Sequence, residues 1–213
     1  MNILALNTAF SNSDVAVLYD NKKDYVSLDS NAKQSENILV CVDNLLKKQN
    51  ADIQNIDVMS VVVGPGSFTG IRIGVGLVKG MSVAKPSLKL VGICSLDLMA
   101  YSFENPKSDF WCVLNALSGN LFACKYSSQR KRLCEPKMLD SKEIGELSGT
   151  VVGLKQENLE VCTHFVEFNP QTLLEYTLSE CLENNFVSEN NLLPIYLRKS
   201  QAEVSLDNGN KKN

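Results

Sequence analysis

Few side chains in this sequence are of a type and spacing that could do chemistry. There is one histidine, His164, and there are seven cysteines: Cys41, Cys94, Cys112, Cys124, Cys134, Cys162 and Cys181. A zinc site would need ligands at short, paired spacing, but no Cys-x-x-Cys occurs and Cys162, the cysteine nearest His164, lacks a partner at ligand spacing. A Ser/His/Asp triad through His164 would need a nucleophile in a recognisable setting, whereas Thr163-His164-Phe165-Val166 reads as a strand and His164 as a structural residue. The third candidate is the turn Gly64-Pro65-Gly66-Ser67-Phe68-Thr69-Gly70-Ile71-Arg72-Ile73-Gly74, a shape that could cradle phosphate. It carries no Lys where a Walker A loop grips phosphate. Gly64, Gly66 and Gly70 are also one residue too long for the Rossmann spacing. A helix N-terminus still offers free N–H groups to an anion, as most helices do.

The elements that position this turn are a strand and a helix. Val61-Val62-Val63 is a β-branched run that reads as a buried strand; Pro65 fixes its own φ, Gly64 and Gly66 let the chain reverse, and Ser67 is placed to cap a helix running to about Ala84. Gly66, Gly70 and Gly74 then recur every fourth residue, with Gly76 and Gly80 beyond them. Each interior glycine costs roughly 1 kcal/mol of helix propensity relative to Ala, so the bare stripe predicts close approach of another backbone. Phe68, Ile71, Val75 and Val78 form one flanking row and Ile73 and Leu77 another. One row can cover the sheet of its own domain; the other faces either a second protein or internal core.

Composition bounds the answer. The 213 residues suffice for one large domain or two small ones, and 44% hydrophobic content suits an ordinary core in a soluble globular protein. A net charge of -3 supplies no general basic field for gripping nucleic acid, and Arg130-Lys131-Arg132 reads as a solvated loop. Odd, scattered cysteines fit free thiols in a reducing compartment. The start, Met1-Asn-Ile-Leu-Ala-Leu, lacks the charged opening of a signal peptide and no apolar run is long enough to span a bilayer, which predicts a cytoplasmic protein with no membrane association.

Taken in order, the pattern predicts strands at 3–6, 15–19 and 25–28 as an antiparallel meander, then a helix from Gln34-Ser35-Glu36, capped by Ser35, to Lys48. A strand at 57–63, the glycine-bearing helix, a strand at 88–93 and a short helix at 95–101 follow. Glu104–Ser108 is the expected boundary, separating residues 1–103 from a smaller half at 104–198 and a polar tail at 199–213. The second half repeats the plan: strands at 110–115, 121–126 and 137–139, a helix from Ser141, strands at 151–153 and around 161–166, and a helix at 170–182. Pro194–Arg198 is expected to return to the body. Periodicity alone licenses an α/β class.

The string Gly64-Pro-Gly-Ser-Phe-Thr-Gly-Ile-Arg72 closely resembles the bacterial tRNA threonylcarbamoyladenosine biosynthesis family TsaB (YeaZ), most strongly over the first hundred residues, with a weaker match at Pro194-Ile-Tyr-Leu-Arg198. That resemblance implies two related half-domains of the actin-like ATPase (ribonuclease H-like) type, with mixed sheets flanked by helices. It also implies a non-catalytic subunit pairing with a TsaD-like enzyme that modifies adenosine 37 of tRNA, a TsaE-like ATPase binding near that contact, and tRNA reached only through the complex. Catalytic members of the superfamily place an Asp at the end of the first strand to hold Mg²⁺ through water, and here stands Asn7, which supplies little charge compensation. Asn115-Ala-Leu-Ser-Gly-Asn-Leu-Phe122 replaces the family's Asp-Ala-Arg-x-Gly-Glu-Val-Tyr, and Gln34 replaces its His.

No carboxylate pair, metal cluster or activated nucleophile emerges, so the expectation is a binding surface with no cofactor and no metal. The two helices 35–48 and 67–84 are expected to form the contact with the TsaD-like subunit, with Gly70, Ile73, Gly74 and Leu77 at its centre and Arg72 at its edge, in an intramolecular salt bridge or at a solvated end. Two rivals stand beside this: an ATP-binding small-molecule kinase or ATPase, and a homodimer using the same face.

Overall fold

The computed structural model describes residues 1–28 and 34–197, with the side chains of 34–36 excepted. The first strands, β1 (Ile3–Asn7), β2 (Ser13–Tyr19) and β3 (Lys22–Leu28), form an antiparallel meander. β3 begins three residues earlier than its apolar pattern suggests. Tyr19 pairs with Lys22, and the two residues between them, Asp20 and Asn21, both take positive φ, 48° and 62°, so the turn is a two-residue hairpin and pairing starts at once. Helix α1 covers Gln34–Lys48, so Ser35 lies inside its first turn and is not the cap.

β4 (Val58–Gly64) runs parallel to β1, α2 (Phe68–Ala84) crosses over, β5 (Lys89–Cys94) lies parallel to β4, and α3 (Ser95–Ser102) follows directly. The sheet order is β3-β2-β1-β4-β5. The second half contributes β6 (Phe110–Asn115), β7 (Leu121–Tyr126), β8 (Lys137–Leu139), α4 (Ser141–Gly145), β9 (Thr150–Leu154) and β10 (His164–Val166). Their order, β8-β7-β6-β9-β10, is the first sheet's order over again, antiparallel among the first three strands and parallel thereafter. The fold is α/β, two half-domains of the same strand order, each a mixed five-stranded sheet flanked by helices.

The last helix, α5 (Pro170–Leu182), departs from the chain-order division at 103/104. Asn169 caps it, accepting Thr172 N–H at 2.8 Å, with Pro170 in the first turn where its missing N–H costs nothing. It packs against β1, β2 and β5 of the first sheet, on the side away from α1 and α2. Ser60 on β4 and Thr177 on α5 join buried hydroxyls at 2.7 Å, and the Tyr101 and Tyr176 rings meet at 5.1 Å. One core runs through both halves, and a smaller cluster around Val113, Leu121 and Val151 lies on the outer face of the second sheet.

The chain after α5 does return to the body. Val187 bridges Leu90 at the free edge of β5, Leu192 is buried, and Ile195 N–H donates to the Val63 carbonyl at 2.8 Å. Arg198 and the tail 199–213 lie outside the described residues.

Candidate partner-binding face and the glycine turn

The glycine turn is wedged between two pieces of its own chain. Gly64 has φ 109°, and a Cβ there would stand 2.9 Å from the Ile195 carbonyl oxygen; one on Gly66 would stand 2.5 Å from the Ala9 carbonyl oxygen. Both glycines are therefore required by close backbone approach. Ser67 N–H donates to Ala9 O at 2.7 Å, and Ser67 caps α2 by accepting Gly70 N–H at 3.2 Å. Pro65 is buried, Phe68 is half-buried and Thr69 is exposed.

Arg72 is held within the subunit. Its guanidinium lies 3.8 Å above the Phe68 ring, and its Nε donates to the Tyr196 hydroxyl at 3.0 Å. In place of an intramolecular salt bridge it makes this stack, and the residue stays exposed.

The glycine stripe divides in two, and this corrects the expected centre of the contact. Gly70 and Gly74 are buried within the subunit. A Cβ on Gly74 would meet Thr8 Oγ1 at 2.5 Å and Val61 Cγ2 at 2.9 Å, and Thr8 already donates to the Gly70 carbonyl at 2.6 Å. What approaches these two glycines is the Thr8 side chain from the first hairpin of the same chain, with Val61 of β4 beside Gly74. Gly76 and Gly80 look the other way, with no atom within 4 Å of where a Cβ would be. Ile73 and Leu77 are half-buried beside them, Val83 is 67% exposed, and on the neighbouring α1 Leu39 and Val40 are 49% and 53% exposed. Thus α2 carries an open strip, bare at Gly76 and Gly80, and the neighbouring α1 exposes two further apolar side chains. The helical spacing 73, 76, 77, 80 and 83 held this signal, since Gly70 and Gly74 share a face with the buried Ile71, Val75 and Val78.

The first hairpin also explains what Asn7 does. Its Nδ2 donates to Asp14 Oδ2 at 3.1 Å and its Oδ1 accepts Ala9 N–H at 3.1 Å, so both ends of the amide are used locally. Asp14 stands directly across from Asn7 on β2 and also accepts the Ser27 hydroxyl. Burial pushes the Asp14 carboxyl above its ordinary value, with the Ser27 and Asn7 hydrogen bonds opposing that rise. The hairpin's carboxylate thus lies on β2, a feature the reading of Asn7 alone did not anticipate.

In the second half, Asn115 N–H donates to Glu157 Oε2 at 2.9 Å and Asn115 Oδ1 accepts Leu117 N–H at 2.8 Å. Burial raises the Glu157 carboxyl. Between the halves, Phe10 at the first hairpin packs its ring 4.7 Å from that of Phe168, filling space by the hairpin tip. His164 meets the Phe103 ring edge-on at 5.3 Å and shares a 3.0 Å hydrogen bond with Thr163. All seven cysteines are free, and among the described residues no group of three or more His, Cys, Asp or Glu is placed to hold a metal. Among those residues no helix is long and apolar enough to cross a membrane. Gln34 and Ser35 lie where side chains are not described.

A family model described as TsaD: tRNA N6-adenosine threonylcarbamoyltransferase matches residues 29–179, more than half of the chain. The chain belongs to this TsaD family. Curated relatives that this chain matches are named tRNA threonylcarbamoyladenosine biosynthesis protein TsaB. The one from Haemophilus influenzae is 30% identical over 100 residues, 47% of this chain and 42% of that protein. The one from Escherichia coli is 27% identical over 128 residues, 59% of this chain and 55% of that protein. The chain thus spans about half the length of the curated relatives it matches. The solved structure of YeaZ from Pseudomonas aeruginosa superposes with a TM-score of 0.76 at 18% identity, covering 92% of this chain and 99% of that one, which establishes the shared fold.

Proposed function

We propose that this member of the TsaD family is a non-catalytic subunit of the machinery that makes N6-threonylcarbamoyladenosine at position 37 of tRNA. In this reading it docks a TsaD-like catalytic subunit through the open face of α1 and α2 and helps recruit a TsaE-like ATPase, and tRNA is met only through the assembly. The names of its relatives support the pathway. The observation that carries the docking role is the apolar face itself: Ile73 and Leu77 flanked by Leu39, Val40 and Val83, made flat where Gly76 and Gly80 lack side chains. A related chain of the same fold could lay a matching helix pair along that strip, its backbone close to the two glycines.

The test uses the outward glycines, because a side chain at Gly74 would strike Thr8 in its own subunit and confuse folding with binding. Gly76→Leu should keep wild-type circular dichroism and unfolding behaviour while losing capture of the TsaD-like subunit from the same organism. A folded Gly76→Leu protein that still captures it at wild-type level would overturn the docking face. Light scattering across a concentration series, with and without the catalytic subunit, separates this pairing from a homodimer on the same face.

A further inference from the structure

We propose that Cys124 and Cys134 are a peroxide-sensitive dithiol, closing to a disulfide that fastens the turn at 127–131 by its base. β7 does not end in free loop. Past Tyr126 the chain reverses and pairs back on itself: Tyr126 bridges Arg132, Ser127 N–H donates to Lys131 O at 2.9 Å and Leu133 N–H donates to Lys125 O at 2.8 Å. Two more residues along this antiparallel pairing set Cys134 opposite Cys124. Each sulfur already lies against the main chain of the opposite segment. The Cys124 thiol donates to the Cys134 carbonyl at 3.1 Å, and the Lys125 N–H, next after Cys124, donates to Cys134 Sγ at 3.2 Å. Rotation about the two Cα–Cβ bonds is the motion that brings the sulfurs together.

The surroundings assign the roles. Cys134 is half-buried and meets solvent, while Cys124 is buried and its thiol is pushed up to about 12, chiefly by desolvation. On the other side of Cys124, its β6 partner Cys112 is fully buried. A hydroperoxide therefore reaches Cys134 first: the sulfur attacks one peroxide oxygen, the O–O bond breaks, and Cys134 becomes a sulfenic acid as water or an alcohol leaves. The Cys124 sulfur then attacks the oxidised sulfur. The S–S bond forms, the S–O bond breaks, and the Cys124 proton leaves with that hydroxyl as water. Two thiols are oxidised and one peroxide is reduced. The bond would lock a strap that reaches across the molecule, since Arg132 grips Asp97 of α3 and Arg130 donates through Nε and Nη2 to the Phe103 carbonyl. Transient disulfides of this kind occur where the surroundings are otherwise reducing.

The experiment treats the full chain with hydrogen peroxide, blocks remaining thiols and digests with trypsin. Cleavage at Lys107, Lys125, Arg132 and Lys137 leaves Cys112 and Cys124 together in one peptide and Cys134 in another. The expected product is the two peptides joined, with fragment ions placing the link on Cys124. The link should disappear with dithiothreitol or in Cys134→Ser and persist in Cys112→Ser, and the oxidised protein should unfold at a higher temperature than the reduced one. Full alkylation of both thiols after peroxide, or an internal Cys112–Cys124 bond, would overturn the assignment. An unchanged unfolding temperature despite complete linkage would overturn the fastening.

Discussion

Thr8 donates its hydroxyl to the Gly70 carbonyl at 2.6 Å, tying the loop after the first strand to the first turn of α2. With Ser67 N–H on Ala9 O, this makes the hairpin and the glycine turn one rigid unit. The two loops spend hydrogen bonds on each other. The glycines nearest the turn serve that internal closure, and only the later ones remain for an outside chain.

Two glycines on one helix should therefore respond oppositely to the same change. Gly74→Ala places a Cβ 2.5 Å from Thr8 Oγ1, and Thr8 can retreat only by giving up its bond to Gly70. Overpacking of this sort costs about 1–3 kcal/mol, more than the roughly 1 kcal/mol gained in helix propensity. Gly76→Ala meets open space and keeps only the gain. Urea unfolding of the two variants beside the parent checks the sign; equal stabilisation in both would refute the packing argument.

The same contrast shows what could be read from the chain. Strand and helix periods fixed the elements closely, and the limits of β6, β7, β8 and α5 agree with the structure residue for residue. Periodicity reports which face of a helix is apolar, but not which surface it lies against. So the crossing of α5 onto the first sheet, and the closing of Gly74 beneath Thr8, were out of reach of local pattern. Asp14 was missed for a related reason: only the register that sets it opposite Asn7 shows that its carboxylate is buried and held.

Asp14 should leave a mark on the pH dependence of stability. Its carboxyl titrates above the ordinary 3.8 in the folded protein because burial penalises the charge. Between the unfolded and the raised folded value the native state binds more protons than the unfolded state, so stability from this group falls as pH rises through that window and is fully present below it. Asp14→Asn removes the charge while leaving a hydrogen-bonding side chain. Denaturant unfolding across mildly acidic to neutral pH should show the parent losing ground relative to the variant as pH increases; parallel curves would refute the buried-charge assignment.

Asp97 and Arg132 join the two halves through a two-pronged contact, Arg132 Nε on Oδ1 at 2.7 Å and Nη2 on Oδ2 at 2.5 Å, with the Tyr126 hydroxyl on Oδ1 at 2.8 Å. The side chains are 20% and 35% exposed, so solvent screens part of the attraction. The coupling should then fall between the ~0–1 kcal/mol of an exposed pair and the 3–5 kcal/mol lost on breaking a buried one, at about 1–3 kcal/mol. A double-mutant cycle with Asp97→Ala and Arg132→Ala measures it. A coupling indistinguishable from zero would mean that this ion pair contributes nothing to holding the halves together.

The hydroxyls of Ser60 and Thr177 are fully buried 2.7 Å apart, and the direction of that bond can be assigned. Thr177 Oγ1 already donates its one proton to the Leu173 carbonyl at 2.8 Å, so Ser60 must be the donor across the sheet–helix contact. Removing donor and acceptor is then unequal. Ser60→Ala takes away a donor and leaves Thr177 with its proton still placed, which should cost about 1 kcal/mol. Thr177→Val keeps the shape but strands the Ser60 proton in an apolar layer, with a desolvation cost of about 1–3 kcal/mol. Thermal or urea unfolding of the two single variants should rank Thr177→Val as the less stable, and the double variant should recover part of the loss. The reverse ranking would mean that the proton between them points the other way.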